Sequence, residues 1–244
     1  MTDAMLPAAG RVVALSGAGR GLGAAIARRL HADGFALSLG VRDPKAADAR
    51  LALGASPRVT FHRFDATRRE DARAWIEATI AAHGALDALV NNAGILARVT
   101  FDDEDEAALD AMWEVNVKAP LRVTRAALPH LRASGHGRVV NIASTDGKRI
   151  RDVAVTLGYA MSKHALVALT HATRFAGHAE GLRATALCPG AIDTELVANL
   201  PGVTPGPGRL NPGTIAEIVS LLLRLPAQAH VAEMIVNTRL ESTL

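Results

Sequence analysis

From Val12 to Val236 the chain alternates short apolar runs with stretches of helical periodicity, and few folds accept that pattern. A strand buried on both faces reads as an unbroken apolar run, and parallel neighbours need a helical crossover between them. The runs at 12–15, 35–41, 59–64, 86–90, 138–143, 183–188 and 231–236 are the predicted strands. Helices are predicted at 22–33, 70–83, over 102 to about 131, at 159–175 and at 214–225. Gly34 and Gly84 stand where a left-handed C′ residue would close a helix. Asp43-Pro44 reads as an N-cap followed by proline at the first helical position. The expectation is one α/β domain over residues 1–244, a parallel sheet of about seven strands covered by helices on both faces. Residues 1–10 form an N-terminal extension, and 196–212, rich in proline and glycine, a mobile loop on the substrate side.

Composition narrows the function classes. Of 244 residues, 49% are hydrophobic, enough for a full core. The net charge is +3, with arginines spread from Arg11 to Arg239 and no long basic run, so no nucleic-acid footprint is indicated. A single cysteine, Cys188, excludes an intrachain disulfide and any CxxC metal or redox site. The first ten residues lack the basic-then-apolar pattern of a secretory signal, and no apolar run approaches a membrane span. A soluble cytoplasmic protein without a membrane partner is expected.

Ser16-Gly17-Ala18-Gly19-Arg20-Gly21-Leu22-Gly23 lies directly between the first strand and the first helix. Glycines there permit positive φ and let a pyrophosphate approach backbone amides at a helix N-terminus, where the dipole favours anions. The pattern predicts a dinucleotide site. At the end of the second strand, an acid would bind the ribose 2′-hydroxyl of NAD(H), whereas arginine suits the 2′-phosphate of NADP(H). Arg42 stands there, and Asp43 beside it is better explained as a helix cap. Arg20 would add a second cation. NADP(H) is favoured, with an NAD-preferring dehydrogenase as the alternative.

Tyr159 and Lys163 are spaced i, i+4, on one face of a helix. A free phenol is a poor base at neutral pH, and a nearby ammonium favours its ionised form, which suits acid–base chemistry on an alcohol or carbonyl. The chain holds one tyrosine and four lysines, so the spacing arises by chance only about one time in sixty.

With these residues in view, the chain resembles a short-chain dehydrogenase/reductase, from the first strand through about Thr194. The family's glycine motif corresponds to Ser16–Gly23 and its adenine-side acid to Asp65, followed by Ala66. Its NNAG corresponds to Asn91-Asn92-Ala93-Gly94, its helix asparagine to Asn116 and its strand serine to Ser144. Its YxxxK corresponds to Tyr159 and Lys163, and its PGxxxT segment to Pro189-Gly190-Ala191-Ile192-Asp193-Thr194. The resemblance implies a Rossmann-type doubly wound sheet and an oxidoreductase interconverting a carbonyl and a secondary alcohol. Tyr159 would exchange the proton, Lys163 would lower the Tyr159 pKa and bind the nicotinamide ribose, Ser144 would bind the substrate oxygen, and Asn116 would hold a water of the proton relay. Cofactor contacts would come from Gly17, Arg20, Gly21, Leu22, Gly23, Arg42, Asp65, Ala66, Asn92, Ala93, Gly94, Tyr159, Lys163, Pro189, Gly190, Ile192 and Thr194. A small-molecule substrate and a homo-oligomer, dimer or tetramer, are implied as partners. The rival class is a non-catalytic NADP-binding regulatory protein, against which the complete Asn116, Ser144, Tyr159 and Lys163 set argues.

Three departures from the family pattern stand out. Ser16 replaces threonine, Tyr159 follows Ser144 by 15 residues, slightly more than is common, and the C-terminal stretch Glu233–Arg239 lacks the usual glycines. Other features read as structural. His164, His171 and His178 recur every seven residues, about 10 Å apart along a helix and too far to share a metal, so no metal site is expected. The acidic run Asp102–Glu106 suits a helix start. Lys148, Arg149 and Arg151 are candidates to meet an acidic substrate, and Cys188 reads as a buried small residue.

Overall fold

The computed structural model describes residues 4–54, 56–150, 153–198 and 208–238. Seven parallel strands run in the order β3-β2-β1-β4-β5-β6-β7: β1 Val12–Ser16, β2 Ala36–Val41, β3 Val59–Arg63, β4 Ala88–Asn91, β5 Arg138–Ile142, β6 Arg183–Pro189 and β7 Glu233–Val236. Helices α1 Gly21–Asp33 and α8 Pro212–Arg224 cover one face, packed on each other. The other face carries α3 Arg69–His83, α5 Ala119–Ala133 and α6 Val153–Gly177. Shorter helices are α2 Pro44–Leu51, α4 Ala107–Trp113 and α7 Glu195–Ala198. The expected doubly wound α/β sheet is therefore the observed one.

Local chemistry explains the boundaries. Gly34 and Gly84 close α1 and α3 at φ of 101° and 74°, conformations that cost a side-chain-bearing residue about 1 kcal/mol or more. The Asp43 carboxylate accepts the Ala46 amide at 3.1 Å and Pro44 opens α2, as the sequence implied. In β2 Gly40 makes room for an indole: a Cβ there would lie 2.8 Å from the Trp75 ring. Trp75 is buried and donates its Nε1–H to Ser38, which also bonds Thr79, so no polar atom of this packed trio is stranded.

Three expectations are corrected. The acidic run does not begin a helix. Residues 102–106 lie outside regular structure, where Asp103 accepts Thr100 and Asp105 accepts the Ala107 amide, and α4 starts only at Ala107. The long helix over 102–131 is broken by a π-helical segment, Glu114–Lys118. The helix carrying Tyr159 begins earlier than its periodicity suggested, at Val153. Of the loop expected over 196–212, residues 196–198 belong to α7 and α8 begins at Pro212, while 199–207 lie outside the described residues, as does Arg151.

The sheet order reverses direction between β1 and β4. Crossovers diverge there, opening a crevice at the carboxyl ends of the strands, where open α/β sheets bind ligands. Ser16, Asn91 and Ile142 end three strands at that edge. No helix among the described residues is long and apolar enough to cross a membrane.

Candidate active site

At the crevice, the turn after β1 is locked to the end of β4. The Ser16 hydroxyl accepts the amides of Asn92 and Ala93 at 3.0 and 3.1 Å. The Asn92 side-chain amide donates to the Ser16 and Gly17 carbonyls at 3.0 and 3.2 Å. Gly17 has φ of 69°, and a Cβ on Gly23 would sit 2.1 Å from the Gly17 oxygen, so neither position accepts a side chain. Helix α1 starts at Gly21 with no side-chain cap and no acid in its first turn, and Leu22 beside it is buried. Open amides, a helix dipole and a backbone free of Cβ atoms fit a pyrophosphate.

At the end of β2, Arg42 is exposed. Asp65, with Ala66 following, has its carboxylate engaged by the amide and hydroxyl of Thr67 at 3.0 and 2.8 Å. Those bonds, with Arg42 and Arg63 nearby, hold the Asp65 carboxyl below its usual range. Two residues enter this region that sequence reasoning missed. Arg50, at the end of α2, donates to the Gly19 carbonyl at 3.2 Å, and Glu195 pairs with Arg20 at 2.9 Å across 175 positions of chain. Long-range pairs between exposed side chains leave no periodic signature.

At the other end of the crevice, Ser144 follows β5, and Tyr159 and Lys163 project from α6. Lys163 Nζ donates to the Ile142 carbonyl at 2.8 Å and lies 5.5 Å from the Tyr159 ring centroid. A Cβ on Gly94 would be 3.3 Å from Asn116 Oδ1 and 3.6 Å from Lys163 Nζ, so the NNAG segment meets both. Asn116 sits in the π-helical segment and is wholly buried. Its Oδ1 accepts the Ile95 amide, and its Nδ2 donates to the Ile95 carbonyl and the Ser162 hydroxyl, at 2.9–3.0 Å. Such π turns recur at functional sites, and this one aims a single side chain at two neighbouring elements.

Burial dominates the electrostatics. It pushes the Lys163 ammonium down to about 8. The Tyr159 phenol is pushed up, first by burial and then by the Asp146 carboxylate, with a hydrogen bond from Ser144 opposing. That is opposite to the direction expected from Lys163 alone. Cys188 is fully buried beneath this group, and burial raises its thiol to about 11, which leaves it no thiolate at neutral pH.

A glycine turn opening α1 and a buried serine, tyrosine and lysine thus share one strand edge, and the chain as a whole matches a known family. Residues 11–202 match the short chain dehydrogenase family. The chain belongs to it. Among the chain's relatives is the agropine synthesis reductase of Rhizobium rhizogenes, 39% identical over 222 residues. That match takes in 90% of this chain but spans only half of the reductase's length. Among solved structures, an alcohol dehydrogenase from Thermococcus sibiricus, complexed with 5-hydroxy-NADP, superposes with a TM-score of 0.81 and 29% identity, covering 95% of this chain and 99% of its own. A 3-ketoacyl-(acyl-carrier-protein) reductase from Brucella melitensis, complexed with NADH, gives 0.83 and 26%, covering 94% and 96%.

In this chain the PGxxxT segment is held from two sides. The Gly190 amide donates to Val236 of β7 at 2.8 Å, and a Cβ at Gly190 would lie 2.4 Å from Asn237 Oδ1. Ile192 forms a bridge with Leu210, and Thr194 lies against Gly21 of the glycine turn. Pro189 ends β6. Lys148, a candidate for greeting an acidic substrate, instead pairs with Glu233 at 2.6 Å, and His171 reaches the same carboxylate at 2.7 Å. No group of three potential metal ligands occurs among the described residues.

Proposed function

We propose that this dehydrogenase interconverts a carbonyl compound and a secondary alcohol with NADP(H), using Tyr159 as the proton donor and acceptor. What carries the reading is the grouping of Ser144, Tyr159, Lys163 and Asn116 at the same strand edge as the uncapped N-terminus of α1. The nicotinamide cofactor supplies the hydride when bound. Gly17, Gly21, Leu22 and Gly23 would hold its pyrophosphate, and Asp65, Ala66, Asn92, Ala93 and Gly94 would line its path. Pro189, Gly190, Ile192 and Thr194 would flank the carboxamide end. Ser144 would orient the substrate oxygen toward the Tyr159 hydroxyl. Lys163, cationic below about pH 8, would bind the ribose and replace the proton. Both donors of the Asn116 side chain are used and its Oδ1 accepts one of two possible bonds, so a relay water there could donate to Oδ1 but not accept from Nδ2.

NADP(H) over NAD(H) is supported by Arg42 at the end of β2, where Asp43 is spent on capping α2. The substrate is a small molecule whose identity rests on residues 145–158 and 196–212. Assembly into a homo-oligomer is supported by exposed apolar side chains on the outer helices, Leu121 of α5 and Met161 and Phe175 of α6. The deciding experiment follows NADPH oxidation against a panel of aldehydes and ketones by wild type and Tyr159→Phe. Turnover confined to the wild type supports the reading, and equal turnover by both overturns it.

A further inference from the structure

Away from the crevice, α3 and α5 leave a cavity of about 690 Å³ between them. Each wall is one helical stripe, from Arg69 to Glu77 on α3 and from Arg122 to His130 on α5. The floor is apolar. Ala72 and Ile76 are buried there and Ala126 is half-buried, and the two alanines make the hollow, since a longer side chain at either would fill it. The stripes are eight residues long, about 12 Å at the helical rise. That length and volume suit a small molecule, whereas two turns of helix fall short of the roughly 800 Å² per partner of a stable protein interface.

The cavity has a polarity that follows from the topology. Helix α3 leads from β3 to β4 and α5 from β4 to β5, so both run from the carboxyl edge of the parallel sheet to its amino edge. Lying side by side in one direction, they bring Arg69 and Arg73 beside Arg122 and Arg125 at one end. Ile76, Pro129 and His130 follow at the other. The acids around the cationic end are already engaged: Glu70 by Arg68 and Glu77 by Arg73, each at 2.7 Å, and Glu114 by Arg122 and Lys118. Asp71 is buried and accepts the Asp65 amide. Arg69 and Arg125 are exposed and make no hydrogen bond or ion pair among the described residues. The exposed apolar side chains of α6, Met161 and Phe175, lie beyond α5 from this cavity, and Leu121 does not line it.

We propose that the cavity between α3 and α5 binds an amphiphilic carboxylate, a single anionic head on an apolar chain. The head lies between the Arg69 and Arg125 guanidinium groups, whose planar forks match a carboxylate. The chain lies over Ile76 and Pro129, where it is withdrawn from water. A short anion would forgo that burial, and a neutral chain would leave both arginines without a partner. The inference does not depend on the reading of Tyr159.

The test uses octanoate as the probe, followed by isothermal titration calorimetry. Octanoate is expected to bind at one site per chain, and acetate and octanol each about tenfold more weakly or worse. The double variant Arg69→Gln/Arg125→Gln should weaken octanoate binding about tenfold or more. Ala126→Leu, which fills the hollow and touches no charge, should weaken it by a similar factor. Absence of octanoate binding overturns the proposal, as does either variant binding like wild type or acetate matching octanoate. Affinity that falls as protein concentration rises would give the cavity to a second copy of the chain, and overturns it too. Saturating NADPH and Tyr159→Phe should both leave octanoate affinity unchanged. A loss in either would move the binding to the crevice and overturn the proposal, whatever the turnover of the enzyme.

Discussion

Arg20 in the glycine turn and Glu195 at the start of α7 form an ion pair at 2.9 Å, joining the turn after β1 to the segment after β6. Both side chains are more than half exposed, which places the pair among those worth about 0–1 kcal/mol. The pair nonetheless keeps one of the two expected phosphate ligands turned toward α7. Glu195→Gln should therefore tighten NADPH binding about threefold while leaving NADH unchanged. Fluorescence titrations with both cofactors measure this, and equal tightening would show that Arg20 does not read the 2′-phosphate.

Glycine positions separate binding from stability. A Cβ on Gly23 would collide with the Gly17 carbonyl at 2.1 Å and with Asn92 Nδ2 at 2.6 Å, and neither can retreat without opening the turn. At Gly54, φ is 75° but the space around a Cβ is empty. Gly23→Ala is expected to weaken cofactor binding about tenfold or more. Gly54→Ala should cost about 1 kcal/mol of stability and leave binding intact. Calorimetric titration and urea unfolding of both variants check the contrast, which disappears if the two behave alike.

The sequence made the sheet legible because buried parallel strands and capped helices are written locally. The glycine turn, Asp43 before Pro44, and Gly34 and Gly84 all landed where their chemistry required. What stayed hidden was non-local or conformational. Nothing in Trp113–Lys118 announces a π turn, because its register depends on where Asn116 finds partners at Ile95 and Ser162. The acidic run at 102–106 satisfied a helix-start rule but is consumed in bonding Thr100 and Ala107. The direction of the Tyr159 shift was unreadable for the same reason: spacing reveals Lys163, whereas burial and Asp146 reveal themselves only in three dimensions.

Glu233 gathers Lys148 of the turn behind Ser144 and His171 of α6. Its carboxyl is held below the usual range, chiefly by the bond from Lys148, against a penalty from burial. A depressed acid stabilises the fold above its unfolded pKa, and that contribution fades as pH falls through the folded value. Glu233→Gln should lower the urea midpoint at pH 7, and the gap to wild type should close on acidification below about pH 4. A gap independent of pH would mean the pairs contribute nothing.

Lys163 depends on pH with the same sign but in an alkaline window, and there it is a penalty that is relieved rather than a gain that is lost. Its folded pKa, about 8, lies below that of an exposed lysine, so between about pH 8 and 10 the unfolded chain binds the proton that the folded chain has released. Stability from this group therefore rises with pH across that window. Below it, the buried ammonium is a burden relieved only by the Ile142 carbonyl. Cys188 works against the trend from about pH 9 upward, since its thiol stays protonated in the fold up to about 11. Comparing wild type with Lys163→Met below pH 9, before the cysteine titrates in the unfolded chain, isolates the lysine. Urea midpoints at steps from pH 7 to 9 should show wild type gaining on the variant as pH rises. A constant difference would mean that Lys163 keeps an ordinary lysine pKa and stays charged throughout.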